Sequence, residues 1–299
     1  MYISSSSFSY RLLSGLLFCL LIACRNEADS NNQYVNKWIG TGLEVRVAPV
    51  ASVLFGMMQI GADTRPYGAG YHYDDPSILG FSHLHKSGGG CADFLDILFM
   101  PLPLNSGMAD EELYSKQYQA VLSHKDEKAE PGYYSVGLYD KQLTVELTAS
   151  RRCGLQRYTY ASEGEIPVIV DLKYGSESAC TIQSEHDVDT VYASAFEWVD
   201  PYTVRGYRCS NGWTPGQQVY FYSTFSSPIK ECVLYVDDRR LEGMTSAEGT
   251  NIKALLTFES NTGELEVRTA LSSVDTQGAA KNLWAETKNK TFDAIREEA

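Results

Sequence analysis

The sequence predicts an antiparallel all-β sandwich of the supersandwich type, followed by short C-terminal helices. Two observations carry this prediction. Apolar and polar residues alternate through segment after segment, each bounded by Gly, Pro, Asn or Asp, and hardly any helical period falls between them. "QLTVELTA" sets Leu143, Val145 and Leu147 against polar neighbours, as a half-buried strand does. "IPVIVDL" is a β-branched run of the kind buried on both faces. "QQVYFYSTF" is rich in aromatic and β-branched residues, which fit a pleated surface. "NIKALLTF" puts Ile252, Ala254, Leu256 and Phe258 on one face, and "GELEVRTAL" does the same with Leu265, Val267, Thr269 and Leu271. Strand is the dominant pattern from about Tyr34 to Val274, with no internal repeat. From about Thr276 the alternation ends. Ala280, Leu283 and Trp284, then Phe292 and Ile295, recur at helical intervals, which predicts two short amphipathic helices.

The N-terminus reads as a targeting segment. Arg11 precedes an apolar run from Leu12 to Ala23, shorter than the roughly 20 residues that span a bilayer. The run ends "LIAC", which resembles a bacterial lipoprotein signal in which Cys24 is lipidated and becomes the mature N-terminus. Residues 1–23 are then a signal peptide, and 24–33 a lipidated cysteine and polar tether. The β-sandwich covers 34–275, and 276–299 begin a helical linker. The expected location is the outer membrane, on its periplasmic or cell-surface face, held by the lipid. Of the other cysteines, Cys91, Cys153, Cys180, Cys209 and Cys232 belong to the mature chain and show no CxxC spacing. The formal net charge is −13, with no basic run, which argues against electrostatic binding of nucleic acid or anionic lipid. A neutral ligand such as a glycan fits better.

"GYHYDDPSILGFSHLHKSGGGCADFLDILFMP", Gly70 to Pro101, holds three of the five histidines, a triple glycine, Cys91 and four aspartates. There is no GxxxxGK[ST], so Gly88–Gly90 are not a phosphate cradle; "GFSHL" lacks the final glycine of a nucleophile elbow; and no HExxH or EF-hand loop occurs. A metal reading rests on His83 and His85 at i, i+2, with Cys91 or Asp93 completing a zinc tetrahedron. Its alternative is a pair of hydrogen-bonding histidines lining a loop. For "GYHYDD" and Asp93 and Asp96, one reading is turn chemistry on a solvated loop. The other is a sugar site, where aromatic faces stack on the ring and carboxylates or imidazoles bond hydroxyls.

Five blocks bear on that choice: "YVNKWIGTG", "FGMMQIGADTRPYGAGYHYDDPSILGFSHLHKSGGGCADFLDILFMP", "PGYYSVGLYDKQLTVELTASRRCGLQRYTY", "GYRCSNGW…QVYFYSTFSSP" and "VRTALSSVDTQGAAKNLWAE". In sequence and order they resemble the N-terminal domain of glycoside hydrolase family 92. The resemblance implies exo-acting, calcium-dependent, inverting α-mannosidase chemistry, in which an N-terminal β-sandwich packs on a C-terminal (α/α)6 barrel. It places Gly70–Tyr73 and Phe81–Asp93 on the β-domain's side of a mannose pocket. Tyr71, His72, Tyr73, His83, His85, Cys91 and Asp93 are thereby candidate substrate-binding residues. Two departures bear on linkage. "IGTG" is followed by "LEVRVAPVAS" rather than a His/Gly-rich stretch, and the loop before GYHY is short, with Tyr67 in place of the family's tryptophan.

Inverting hydrolysis needs a carboxylic acid to protonate the leaving oxygen and a carboxylate to activate water. The resemblance places both, and the calcium ligands, in the helical domain, and no residue here matches those positions. The expectation is thus a chain cut short, without catalytic residues or a metal of its own. It would be inactive alone and would rely on a helical domain in cis or in trans for N-glycan degradation. The competing expectations are a stand-alone glycan-binding lipoprotein and a histidine-based metal protein.

Overall fold

In the computed structural model, residues 34–43, 47–88, 93–106, 118–176 and 188–299 are described. Cys24, the tether, Cys91 and Cys180 lie outside them. All but 34–36 of the described residues belong to one compact unit, Lys37–Ala299.

Two antiparallel sheets face each other. The smaller has the order β1 (Gly61–Asp63), β3 (Gly80–Ser82), β4 (Leu98–Pro101), β10 (Gly164–Asp171), β17 (Ile252–Ser260), β14 (Ile229–Val236) and β15 (Arg239–Leu241). The larger runs β16 (Ser246–Gly249), β11 (Thr190–Asp200), β12 (Thr203–Asn211), β13 (Gln217–Phe225), β18 (Glu264–Ser272), β9 (Cys153–Tyr160), β8 (Leu143–Ala149), β7 (Tyr133–Leu138) and β6 (Lys128–Glu130). A separate pair joins β2 (Ser77–Ile78) to β5 (Ala120–Val121).

The periodicities explain which side chains go inside. In β17, Ile252, Ala254, Leu256 and Phe258 are all buried, and in β18 so are Leu265, Val267, Thr269 and Leu271. Those rows meet Val145 and Leu147 of β8, Phe221 of β13 and the run Ile166–Val170 of β10 in one hydrophobic core. Each large aliphatic or aromatic side chain fully buried there stabilises the fold by roughly 1.5–3 kcal/mol relative to exposure. Among the described residues the first regular strand starts at Gly61, later than the sequence pattern implied.

Helix α1 (Thr276–Thr287) and helix α2 (Phe292–Glu298) lie on the outer face of the larger sheet. Asp275 and Thr291 cap them, each accepting a backbone N–H of the first turn. The buried stripe of α1 is Ala279, Leu283 and Thr287, whereas Trp284 is 62 % exposed. The apolar interval that predicted the helix therefore names the wrong face for Trp284. Leu283, Phe292 and Ile295 form a second small cluster with Tyr133, Cys153, Leu155 and Ala270. Around it, Arg157 lies over the Phe292 ring at 4.1 Å and Arg296 over Tyr133 at 3.5 Å.

Candidate functional site

The dense segment folds across the end of the smaller sheet, and its candidate residues take different stations. Tyr71, His72 and Tyr73 sit on a turn that leaves β1. Arg65 closes that turn on Asp75, donating through Nε at 2.6 Å and pairing again through Nη2. Thr64 Oγ1 donates to Asp75 Oδ2 at 2.7 Å and accepts the His72 amide at 2.8 Å. Burial works to raise the Asp75 carboxyl, but the bonds from Arg65 and Thr64 outweigh it and hold the group below its ordinary value. The turn also depends on Gly70. Its φ is +87°, and a Cβ there would come within 2.6 Å of Leu95 Cδ2 and 2.7 Å of Asp63 Oδ1.

Within the turn the three side chains differ in what they present. Tyr71 is fully buried and stacks on Trp38 at 6.2 Å. Its hydroxyl donates to Glu127 Oε1 at 2.9 Å, and burial with the Glu127 charge pushes its pKa up. Tyr71 thus offers its hydroxyl to the interior. His72 accepts the Asp74 amide at Nδ1 (3.1 Å), and its Nε2 bonds no other group among the described residues. In the neutral ring Nε2 then carries the proton, a donor suited to a hydroxyl oxygen. Tyr73 is half-buried, and its ring stacks on His124 at 3.9 Å with 2° between planes.

His83 and His85 lie just beyond β3, behind that turn. His83 is 0 % exposed, with Nδ1 2.6 Å from the Ile97 carbonyl and Nε2 3.3 Å from Gln156 Nε2. Burial pushes its pKa down to about 4 despite the bond to Ile97, so the ring is neutral at physiological pH. Its neighbours are strained. Phe94, Leu95 and Ile97 all have positive φ (68°, 62° and 58°), a costly conformation for such residues and most of all for β-branched Ile97. The His83 amide donates to the Asp96 carbonyl at 3.0 Å while its ring holds Ile97. His83 therefore pins the Asp96–Ile97 end of the strained stretch through both its backbone and its ring. His85 places Nδ1 2.9 Å from the Gln59 carbonyl and Nε2 3.3 Å from Asp63 Oδ1, again without an exposed edge.

Asp93 and Asp96 tie the segment to the β12–β13 loop. Asp93 accepts the Thr214 amide at 3.1 Å and the Thr214 hydroxyl at 2.9 Å, fixing the loop beside Trp213, which is 64 % exposed. Asp96 accepts Arg208 Nη1 at 2.6 Å and Gln217 Nε2 at 2.8 Å. Arg208 also donates to Asp189 at 2.6 Å, so one buried guanidinium joins two buried carboxylates. Burial pushes Asp96 up to about 6 against the pull of Arg208. Gly175 makes room for this, since a Cβ there would lie 2.0 Å from Arg208 Nη2.

Trp38, His124, Glu127, Arg208, Trp213 and Thr214 carried no signal in the sequence reading. Trp38, Arg208 and Trp213 lie inside quoted blocks and Thr214 beside one, while His124 and Glu127 lie between blocks, but nothing in their spacing marks them. No group of three or more His, Cys, Asp or Glu among the described residues converges on a point where a metal could bind. His83 and His85 instead each engage a backbone carbonyl.

Residues 34–272 match the family model described as the glycosyl hydrolase family 92 N-terminal domain. An uncharacterised secreted glycosidase of Arthroderma benhamiae is 26% identical over 93% of this chain and 38% of its own length. A family 92 α-mannosidase of Bacteroides thetaiotaomicron, solved with mannoimidazole, is 29% identical; the likeness covers 90% of this chain and 36% of that one, with a TM-score of 0.77. An inverting family 92 mannosidase of the same bacterium, 24% identical with a TM-score of 0.74, shares the fold over 91% of this chain and 35% of its own. The chain thus spans little more than a third of the length of these relatives.

Proposed function

The chain belongs to glycoside hydrolase family 92 through its N-terminal domain, and from that premise we propose that it forms the β-sandwich wall of an exo-α-mannosidase sugar pocket. The reaction in this reading is hydrolysis of α-mannosidic bonds with inversion, and the ligand is a mannose-containing glycan. The observation that carries it is the Tyr71–Asp75 turn: Arg65, Glu127 and His124 hold it in place, and it carries the half-buried Tyr73 and a His72 whose Nε2 bonds no described residue. A donor beside an aromatic face is what a pyranose ring with its hydroxyls requires.

The acid and base are proposed to come from a helical domain, in cis or in trans. Four carboxylates of this region already have protein partners: Asp63 takes the Ser82 amide, Asp75 takes Arg65, Asp93 takes Thr214 and Asp96 takes Arg208. Those bonds support the reading that the acid and base lie elsewhere. The calcium that the family implies does not fit the described residues, which lack a converging donor set. The β-domain's part is to orient the sugar and exclude water.

A titration of the chain with methyl α-mannoside, followed by NMR, tests the pocket. His72→Ala and Tyr73→Ala should each weaken binding several-fold, a loss on the order of 1 kcal/mol per hydrogen bond or stacking contact. Unchanged affinity in both would sink the reading. A second reading, a stand-alone glycan-binding lipoprotein, is favoured by how completely the turn is anchored inside this chain. Binding that is just as tight without any helical domain would select it. The lipid anchor is proposed on "LIAC" alone: detergent-phase partitioning should vanish in Cys24→Ala, and an aqueous-phase wild type would refute it.

A further inference from the structure

His124 lies in a short 3-10 turn, His124–Asp126, and closes the turn that carries His72 and Tyr73. Its ring faces two oxygens. Nε2 is 2.6 Å from the Tyr73 carbonyl oxygen, and Nδ1 is 2.5 Å from Glu127 Oε2. A carbonyl oxygen only accepts, so Nε2 must carry a proton. The Nδ1–Oε2 contact needs a proton as well. Glu127 Oε1 already accepts the hydroxyls of Tyr71 (2.9 Å) and Tyr134 (2.6 Å), which favours the carboxylate form. The proton therefore belongs on Nδ1, and the ring is an imidazolium that donates on both sides.

The surroundings suit that charge. The ring lies flat on Tyr73, and Trp38 stands 6.5 Å away. Along its own turn the neighbouring charged residues are Lys125 and Asp126, both exposed, and the buried Glu127; on the facing turn the stacked Tyr73 is flanked by His72 and the exposed Asp74. Without the extra proton, one of the two contacts must fail. A neutral ring that keeps Nε2–H on Tyr73 turns its Nδ1 lone pair on the carboxylate. The other tautomer turns a lone pair on the Tyr73 carbonyl.

We propose that His124, held by Glu127, is a proton-dependent positioning residue that sets the Tyr71–Asp75 turn for sugar binding. The proposal rests on the pocket reading above, but its first test does not need the sugar. In the full chain, the ring ¹⁵N shifts of His124 should show both nitrogens protonated at about pH 5–6. Loss of that proton should speed hydrogen exchange at the Tyr73 and Asp75 amides, which donate to Thr41 and His72 within the clamped region.

Glu127→Gln gives the decisive contrast. Its amide N–H can serve a neutral Nδ1 while its oxygen still accepts both tyrosines, so Nε2–H on Tyr73 persists at any pH. Wild-type affinity for methyl α-mannoside should fall roughly tenfold as pH rises from about 5 to 9, the loss of one charge-assisted contact. The Glu127→Gln profile should be flat over that range. His72 is present unchanged in both proteins, so the difference between the profiles belongs to His124. His124→Phe keeps the stack and removes both donors; its amide exchange should be fast at every pH. Superimposable wild-type and Glu127→Gln profiles, or a neutral His124 ring in the wild type at about pH 5, would overturn the proposal. Should no variant bind the sugar, the pocket reading falls, and the ring shifts and amide exchange still decide the clamp.

Discussion

Two buried groups, His83 and Asp96, meet through a backbone hydrogen bond and titrate in opposite senses. The His83 imidazole falls from its ordinary 6.5 to about 4 because burial disfavours its charged form. The unfolded chain therefore takes up this proton near pH 6.5, and the folded chain only near pH 4. The stability from neutral His83 is complete above pH 6.5 and lost as pH falls through about 4, some 3 kcal/mol in all. Asp96, raised by burial from 3.8 to about 6, works the other way: its contribution is present below its unfolded value and lost as pH rises through about 6. Urea unfolding of wild type and His83→Gln isolates the histidine, since Asp96 titrates in both. The stability gap between the two should be widest near neutrality and shrink by about 3 kcal/mol on approach to pH 4. A gap that stays constant with pH would show that His83 is not held neutral by the fold. Nothing in "HLH" announced this role. Spacing says which residues are near in sequence, whereas His83's station depends on the Ile97 carbonyl and on Gln156, 73 residues away.

Elements with a regular period were legible from sequence because burial itself is periodic there. β8, β17 and β18 each bury one face, so their alternation marks them, and β10 reads as a continuous apolar run because both its faces are covered. β1, β2, β3 and β5 were not legible, since strands of two or three residues are too short to show a period. The helices were visible, but the face of α1 was not. α1 lies across a sheet, and a narrow row at i, i+4, i+8 suffices to bury it. That packing makes a prediction. Removing 276–299 takes Leu283, Phe292 and Ile295 away from Cys153, Leu155 and Ala270, yet leaves the core between the sheets intact. Circular dichroism of residues 25–275 should be strand-dominated with little helix, and the thermal midpoint should fall on the order of 10 °C. Complete loss of the strand signal would mean that the sandwich depends on its helices to fold.

For the molecule as a whole, the composition of Gly70–Pro101 singled out the segment proposed to form the site, but not how that segment is held. Its partners Glu127, Arg208 and Thr214 lie 56, 112 and 121 residues from Tyr71, Asp96 and Asp93. Polar contacts across such distances leave no periodic trace. What they build is a segment braced from within, with Asp63, Asp75, Asp93 and Asp96 already bonded to protein. General acid–base assistance is worth about 10²–10⁴-fold in rate, and in the proposed reading a helical domain supplies it. The central claim is therefore a division of labour, in which this domain orients the sugar and a helical domain cleaves it. Its most direct test is mannose release from α-linked manno-disaccharides in the presence of calcium, comparing these 299 residues alone with the same residues joined or mixed with a family 92 helical domain. The account predicts no measurable release from the 299 residues and turnover from the pair. Robust release by the 299 residues alone would contradict it and move the acid and base into this chain, with Asp93 and Asp96 the first to substitute.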